Sequence, residues 1–348
     1  MTESADLGQE IAQLEATVAE FRAKIAAEPE MAYPAYADAL MELSGARAEA
    51  GQPEAALNAA IEGVEEYRRL FDAQPADFAV PLASALNILS NRLSEQGRDE
   101  DGRAAGDEAL QLARRALDVA PDQARFVIVS TLMNQSGRSW RAGQALRAIE
   151  EMGTAVEIFR EGGEAMYPQL GVMIDALHRN AMALAEGARW EEAVEVRRMT
   201  AKVFPPDRVP APVHHLLALT MQQAAFAASR DGRPGSALPL VEEAAELARG
   251  LAEGAPDQYR LFLAQSLANL ASRQHEAHAD PEALESALEA VNTFQEVANV
   301  DPASAVVPLA ATLETFASIL ATLGYHDQAR NVLAQREQLQ GAMRPVEE

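Results

Sequence analysis

The sequence predicts an all-α solenoid of antiparallel helix pairs, and three observations carry that prediction. The first is a period of about 46 residues. Leu40, Leu86, Leu132, Leu177, Met221, Leu267 and Leu313 form one row, at spacings of 46, 46, 45, 44, 46 and 46. Four residues after each comes Ser44, Ser90, Ser136, Ala181, Ala225, Ala271 or Ala317, and sixteen after each comes Ala56, Gly102, Ala148, Ala193, Ala237, Ala283 or Ala329. The second is a pair of helix breakers alternating along the chain, Gly within each repeat and Pro between repeats. The third is composition: 48% hydrophobic but only 5% aromatic, which suits closely packed helices better than a thick globular core.

The N-terminal segment, residues 1–30, carries Leu7, Ile11, Leu14, Val18, Phe21 and Ile25 at alternating spacings of four and three. Phe21 and Pro29 stand 46 residues before Tyr67 and Pro75, so the segment reads as a half-repeat capping the first unit. The competing reading, a coiled-coil dimerisation helix, has under three heptads behind it. Residues 31–343 follow as seven units, roughly 31–75, 76–121, 122–166, 167–209, 210–256, 257–302 and 303–343. Each has room for two helices of roughly 18–22 residues, about 30 Å long. The turn inside each unit falls at Gly51, Gly97, Gly143, Gly232 and Gly324, with Ala188 and His278 substituting; Gly suits a left-handed stop. Pro53 and Pro281 follow two of these turns, in the first helical turn. Pro29, Pro75, Pro121, Pro256 and Pro302 mark the junctions, with Pro168 and the Pro205–Pro212 segment at the others. Four Pro in eight residues there cannot continue a helix; a stiff connector is expected, with a hinge as the alternative. Arg330, Gln335, Arg336, Gln338 and Gln340 make the last helix polar, the other cap, and 344–348 is a tail.

The pattern Leu-x3-small-x6-Gly-x4-small with an inter-repeat Pro, as in Leu86 to Arg98 (LNILSNRLSEQGR), resembles the tetratricopeptide repeat (TPR) in its long-helix bacterial variety. The resemblance covers about residues 30–343. It departs from the family in its period, against the usual 34, in having no Trp in the Leu86 row, in Gly102 and in Gly187, one position early. It implies a right-handed α-α superhelix whose first helices line a concave groove for peptides or partner helices. Carried over by register, that groove contains Asn87 and Asn91 in unit two; Met133, Trp140 and Arg141 in unit three; His178 and Met182 in unit four; and Gln222, Phe226 and Arg230 in unit five. The Asn amides offer donor and acceptor to a peptide backbone. The Met and aromatic residues offer adaptable apolar surface, and Arg141 and Arg230 could clamp a carboxylate. The alternative for all of them is packing between adjacent first helices.

The formal charge of −24 disfavours nucleic acid, which needs basic surface, and anionic membrane. It suits a basic protein or peptide partner. No Cys occurs, which excludes disulfides and thiol chemistry. A polar N-terminus and no run of about 18 apolar residues leave neither signal peptide nor membrane span expected, hence a cytoplasmic protein. No phosphate loop, Gly-x-Ser-x-Gly or His-Glu-x-x-His motif occurs. No cofactor is expected, and a metal at His275 and His278 is the remote exception. His214 and His215 are adjacent on a helix and point apart, so they do not ligate jointly. The expectation is a non-catalytic scaffold, monomer or weak homodimer, binding a peptide or protein segment. The alternative is a structural protein that self-assembles through its end helices.

Overall fold

A computed structural model describes residues 2–25 and 29–342, with side chains for 7–25 and 32–339; the expected 344–348 tail lies outside them. The described residues are all-α, in order α1 (Thr2–Lys24), α2 (Pro29–Glu49), α3 (Pro53–Ala73), α4 (Pro75–Glu95), α5 (Asp99–Arg115), α6 (Pro121–Arg141), α7 (Ala145–Gly162), α8 (Leu170–Glu186), α9 (Trp190–Lys202), α10 (Ala211–Arg230), α11 (Pro234–Gly254), α12 (Pro256–Glu276), α13 (Asp280–Ala298), α14 (Pro302–Thr322) and α15 (His326–Ala342). Short 3-10 turns at Gly163–Gln169 and Pro206–Arg208 precede α8 and α10. After α1 the helices run as antiparallel pairs, α2/α3 to α14/α15, the architecture of a TPR-like α-α solenoid. Two compact units divide the chain, Met1–Ala176 and Leu177–Glu348, where the unbroken register suggests a single domain. The repeat is least regular just before that division. There α7 stops at Gly163 (φ 57), and a 3-10 turn containing Pro168 replaces the usual Pro-initiated helix start.

Every pair closes on the same backbone device. Gly51, Gly97, Gly143, Gly232 and Gly324 have φ between 70° and 84°, and Ala188 and His278 hold 55° and 60°. Each donates its N–H three residues back while the next residue donates five back, as in Gly97 to Ser94 (3.0 Å) and Arg98 to Leu93 (2.9 Å). That is the Schellman arrangement, which satisfies carbonyls orphaned at the helix end. The prolines at 29, 53, 75, 121, 234, 256 and 302 open helices, where the missing N–H costs nothing.

The leucine row is the core: all seven members are at most 4% exposed. The small rows meet at the helix crossings. Ser90 Oγ donates to the Gly102 carbonyl (2.5 Å) and Ser136 Oγ to the Ala148 carbonyl (2.8 Å), twelve residues apart in both repeats. A Cβ on Gly102 would lie 2.8 Å from the Ser90 carbonyl oxygen, so Gly is required at this tightest crossing. α1 lays Ile11 and Val18, with Leu14, Phe21 and Ile25 beside them, on Tyr36, Leu40 and Leu43.

Second helices are tied by ion pairs. Arg22–Glu62, Arg68–Glu108 (2.5 Å) and Arg249–Glu289 (2.7 Å) each join residues forty apart on consecutive outer helices. Glu66 on α3 is itself buried, 7% exposed, and bonded to Arg69 at 2.9 Å. α14, with a window of mean hydropathy 1.6, is long and apolar enough to cross a membrane, contrary to the sequence reading that no such run exists. Its Leu309 and Leu313 pack with Val291 and Phe294 of α13, Val332 and Leu339 of α15. Core packing accounts for that composition.

Candidate interaction face

In unit Met1–Ala176 the first helices α2, α4 and α6 lie side by side, and between them opens a cleft of about 610 Å³. Its walls are Pro34, Asp38 and Met41 of α2, Phe78, Pro81, Ser84 and Ile88 of α4, and Asp122, Gln123 and Phe126 of α6. Tyr67 from α3 and Ala165 from the 3-10 turn close the sides. Met41 rests on Gly63, where a Cβ would fall 2.6 Å from its Cε. Phe126 is 45% exposed. Its carbonyl accepts from Gln169 Nε2 (3.0 Å), which ties the 3-10 turn to α6. The Tyr67 hydroxyl donates to Asp38; burial first, then that carboxylate, pushes the phenol well above its ordinary range.

The candidates predicted in this unit lie on α4 and α6, Asn87 at the level of Ile88 and the others nearer the helix C-termini. Asn87 Oδ1 accepts from Asn134 Nδ2 (3.1 Å) and Asn91 Oδ1 accepts from Arg138 Nη1 (3.4 Å). Both amide oxygens are thus engaged between adjacent first helices, so these side chains serve the packing alternative. Met133 and Trp140 are half-buried and Arg141 is exposed. None of the five lines the cleft; Ser84, three residues before Asn87 on α4, does.

Arg138 is the residue sequence reasoning missed. Arg92, Arg138 and Arg273 share one register, six residues after Leu86, Leu132 and Leu267. Arg92 pairs with Glu95 (3.2 Å) and Arg273 with Glu276 (2.8 Å). In the third repeat the i+3 position is Arg141, so Arg138 lies buried at 4% exposure without that carboxylate. Its Nε and Nη2 find no acceptor among the described residues. Burial, with Arg103 and Arg141 adding repulsion, pushes the guanidinium down to about 10. The break was visible in the sequence as Arg where two other repeats have Glu.

In unit Leu177–Glu348, Gln222, Phe226 and Arg230 do come together. Gln222 and Phe226 line a depression of about 280 Å³ with Asn269 and Arg273. Phe226, Arg230, Arg273 and Glu276 line an adjoining one of about 530 Å³. Phe226 is 59% exposed. Gln222 also bridges helices, accepting from Asn269 Nδ2 (2.9 Å) and donating to Ser266 Oγ (2.7 Å). Met182 is 44% exposed. His178 is exposed, with Arg197 Nη1 2.9 Å from its Nδ1.

His275 Nδ1 meets Asp280 Oδ1 (2.5 Å) and its Nε2 meets Ser318 Oγ (3.1 Å). That order of groups is a charge relay in outline. Ser318 lies well inside α14, where the backbone N–H groups around it are spent on helix bonds. An oxyanion would find no donor there, so the array ties α12, α13 and α14 together. His278 holds the turn, and His215 packs edge-on against Phe262 at 4.3 Å. No group of three or more His, Cys, Asp or Glu that could hold a metal occurs among the described residues.

No protein-family model matches the chain, and no curated protein matches it. Solved structures do resemble it. The nuclear import adaptor Nro1 of S. pombe is 14% identical over 96% of both chains, with a TM-score of 0.37. The C-terminal part of a TPR repeat-containing protein of Cytophaga hutchinsonii is 14% identical over 86% of this chain and 98% of its own, at 0.29. The TPR-like repeats of a Podosopora anserina kinesin light chain are 19% identical over 62% and 96%, at 0.36. The likeness is one of fold. The class, a TPR-like α-α solenoid, rests on the helix pairs described above.

Proposed function

We propose that this chain is a non-catalytic interaction scaffold that takes a segment of a partner protein on the inner faces of its first helices. The observation that carries the reading is the cleft across α2, α4 and α6. Apolar side chains, Phe126 among them, stand open there in a volume typical of ligand sites, about 300–1,000 Å³. Asn87 and Asn134 on the same helices are bonded to each other, which commits that amide pair to the contact between α4 and α6.

The test is a random-peptide display selection on the whole chain, with Ser84→Trp as counter-target. Ser84 is exposed on the cleft wall, so an indole there fills the cleft and leaves the core untouched. Peptides held by the wild type and lost on Ser84→Trp are expected. Binders indifferent to both Ser84→Trp and Phe226→Ala would overturn docking on this face.

A further inference from the structure

We infer that the cleft across α2, α4 and α6 takes a cationic and apolar segment: an aromatic or long aliphatic side chain seated by Phe78, Ile88 and Phe126, with Lys or Arg reaching Asp38 and Asp122. This names the occupant class for the docking reading above and rests on it.

Three observations carry the inference. The charged side chains that line the cleft are two carboxylates, and no Lys, Arg or His lines it. They stand on α2 and α6, the helices flanking the apolar wall supplied by α4, so a segment laid across α4 meets a carboxylate on either side. Neither is closely paired with a cation: Asp38 accepts from the Tyr67 hydroxyl, and Asp122 is 3.8 Å from Arg125, with its side chain 67% exposed. An acidic segment would bring like charge to both sides, in a chain whose net charge of −24 already repels it. The apolar wall supplies affinity through burial and the rim supplies sign selection and encounter rate.

The experiment uses three labelled peptides of about a dozen residues with identical Trp and Leu positions and Lys, Gln or Glu between them. Fluorescence anisotropy is read against the whole chain, Asp38→Asn/Asp122→Asn, Asp122→Asn alone and Ser84→Trp, with a thermal melt of each. The amide oxygen introduced by Asp38→Asn can still accept from Tyr67, and Asp122 is solvent-facing, so both charge variants keep the fold's contacts. The expected order is Lys, then Gln, then Glu. The double variant should weaken the Lys peptide about tenfold, the sum of two rim pairs, and change the Gln peptide less than about twofold. Affinity for the Lys peptide should fall with added salt. A Glu peptide that binds as tightly as Lys, or a double variant without effect, overturns the cationic class and leaves segment docking standing. Binding unaffected by Ser84→Trp, or no binding of any peptide, overturns both.

Discussion

Replacing Arg138 by Met should stabilise the protein. The guanidinium is 4% exposed, bonded to Asn91 by one long contact of 3.4 Å, and its Nε and Nη2 have no acceptor among the described residues. Its displacement from the ordinary arginine range down to about 10, at 1.36 kcal/mol per unit, corresponds to about 3 kcal/mol of cost for holding the charge. Discounted for solvent screening, and for the attraction of Asp99 and Glu151, about 1–2 kcal/mol remains. Met keeps most of the stem that packs there and gives up the long bond. Urea unfolding at neutral pH should show Arg138→Met more stable by about 1 kcal/mol, with m unchanged. The sign of the pH dependence supplies a second reading. This base has a depressed folded-state pKa, so the unfolded chain binds the extra proton between about pH 10 and the ordinary arginine value. The cost is present in full below about 10 and relaxes as pH rises through that window. The stability difference between variant and wild type should therefore shrink in strong alkali. A variant that loses 1 kcal/mol or more at neutral pH would refute the reasoning, because the charge would then be well satisfied in the folded state.

Other substitutions test the backbone and the titrating groups. Ala188→Gly and His278→Gly, at φ 55° and 60°, should each raise stability by about 0.5–1 kcal/mol; a lower melting temperature for both would contradict the turn assignment. Gly102→Ala should cost about 1–3 kcal/mol because of the Ser90 carbonyl 2.8 Å away. Gly137→Ala, with its nearest neighbour at 3.8 Å, should be neutral or stabilising through helix propensity, and equal effects at the two sites would discard the crossing argument. Burial lowers the pKa of both His214 and His215. The unfolded chain therefore gains protons first, and stability should be full above about pH 6.5 and fall as pH drops below it. His215→Phe should flatten that slope in melts between pH 7 and 5, and an unchanged slope would clear His215 of the effect.

The turn row was legible in the sequence down to its exceptions. Ala188 and His278 occupy a glycine register without being glycine, and both take the left-handed conformation that register demands. The serine and small-residue rows were equally legible, because a 12-residue offset repeated in step can only be a contact between two helices of one hairpin. The position of the cleft was not. Register says which face of a helix looks inward, and Asn87, Met133 and Ser84 all satisfy it. How far apart neighbouring helices stand at each level depends on the Met41–Gly63 contact and on a 3-10 turn that brings Ala165 to the wall. Neither is periodic, so the period could not report them. Gln222, Phe226 and Arg230 come together because they lie within one helix, where local spacing suffices.

The same register explains why the cleft lies where it does. Adjacent first helices are bonded at an offset of 47, one residue beyond the period: Asn87 to Asn134, Asn91 to Arg138, Gln222 to Asn269 and Ser229 to Glu276. Each such rung spends polar groups on a neighbour and holds the two helices together. The rung equivalent to Asn87–Asn134, one repeat earlier, is Met41 and Ile88. Both of these line the cleft. Two apolar side chains cannot form the hydrogen bond that closes the other rungs, and their surface gains from any apolar group that covers it. The inner face thus carries hydrogen-bonded rungs at these four places and, in the same register, an apolar pair at Met41 and Ile88. A partner side chain that covers Met41 and Ile88 breaks no rung between the first helices. Docking there carries no cost of breaking the rungs that hold the repeats in step.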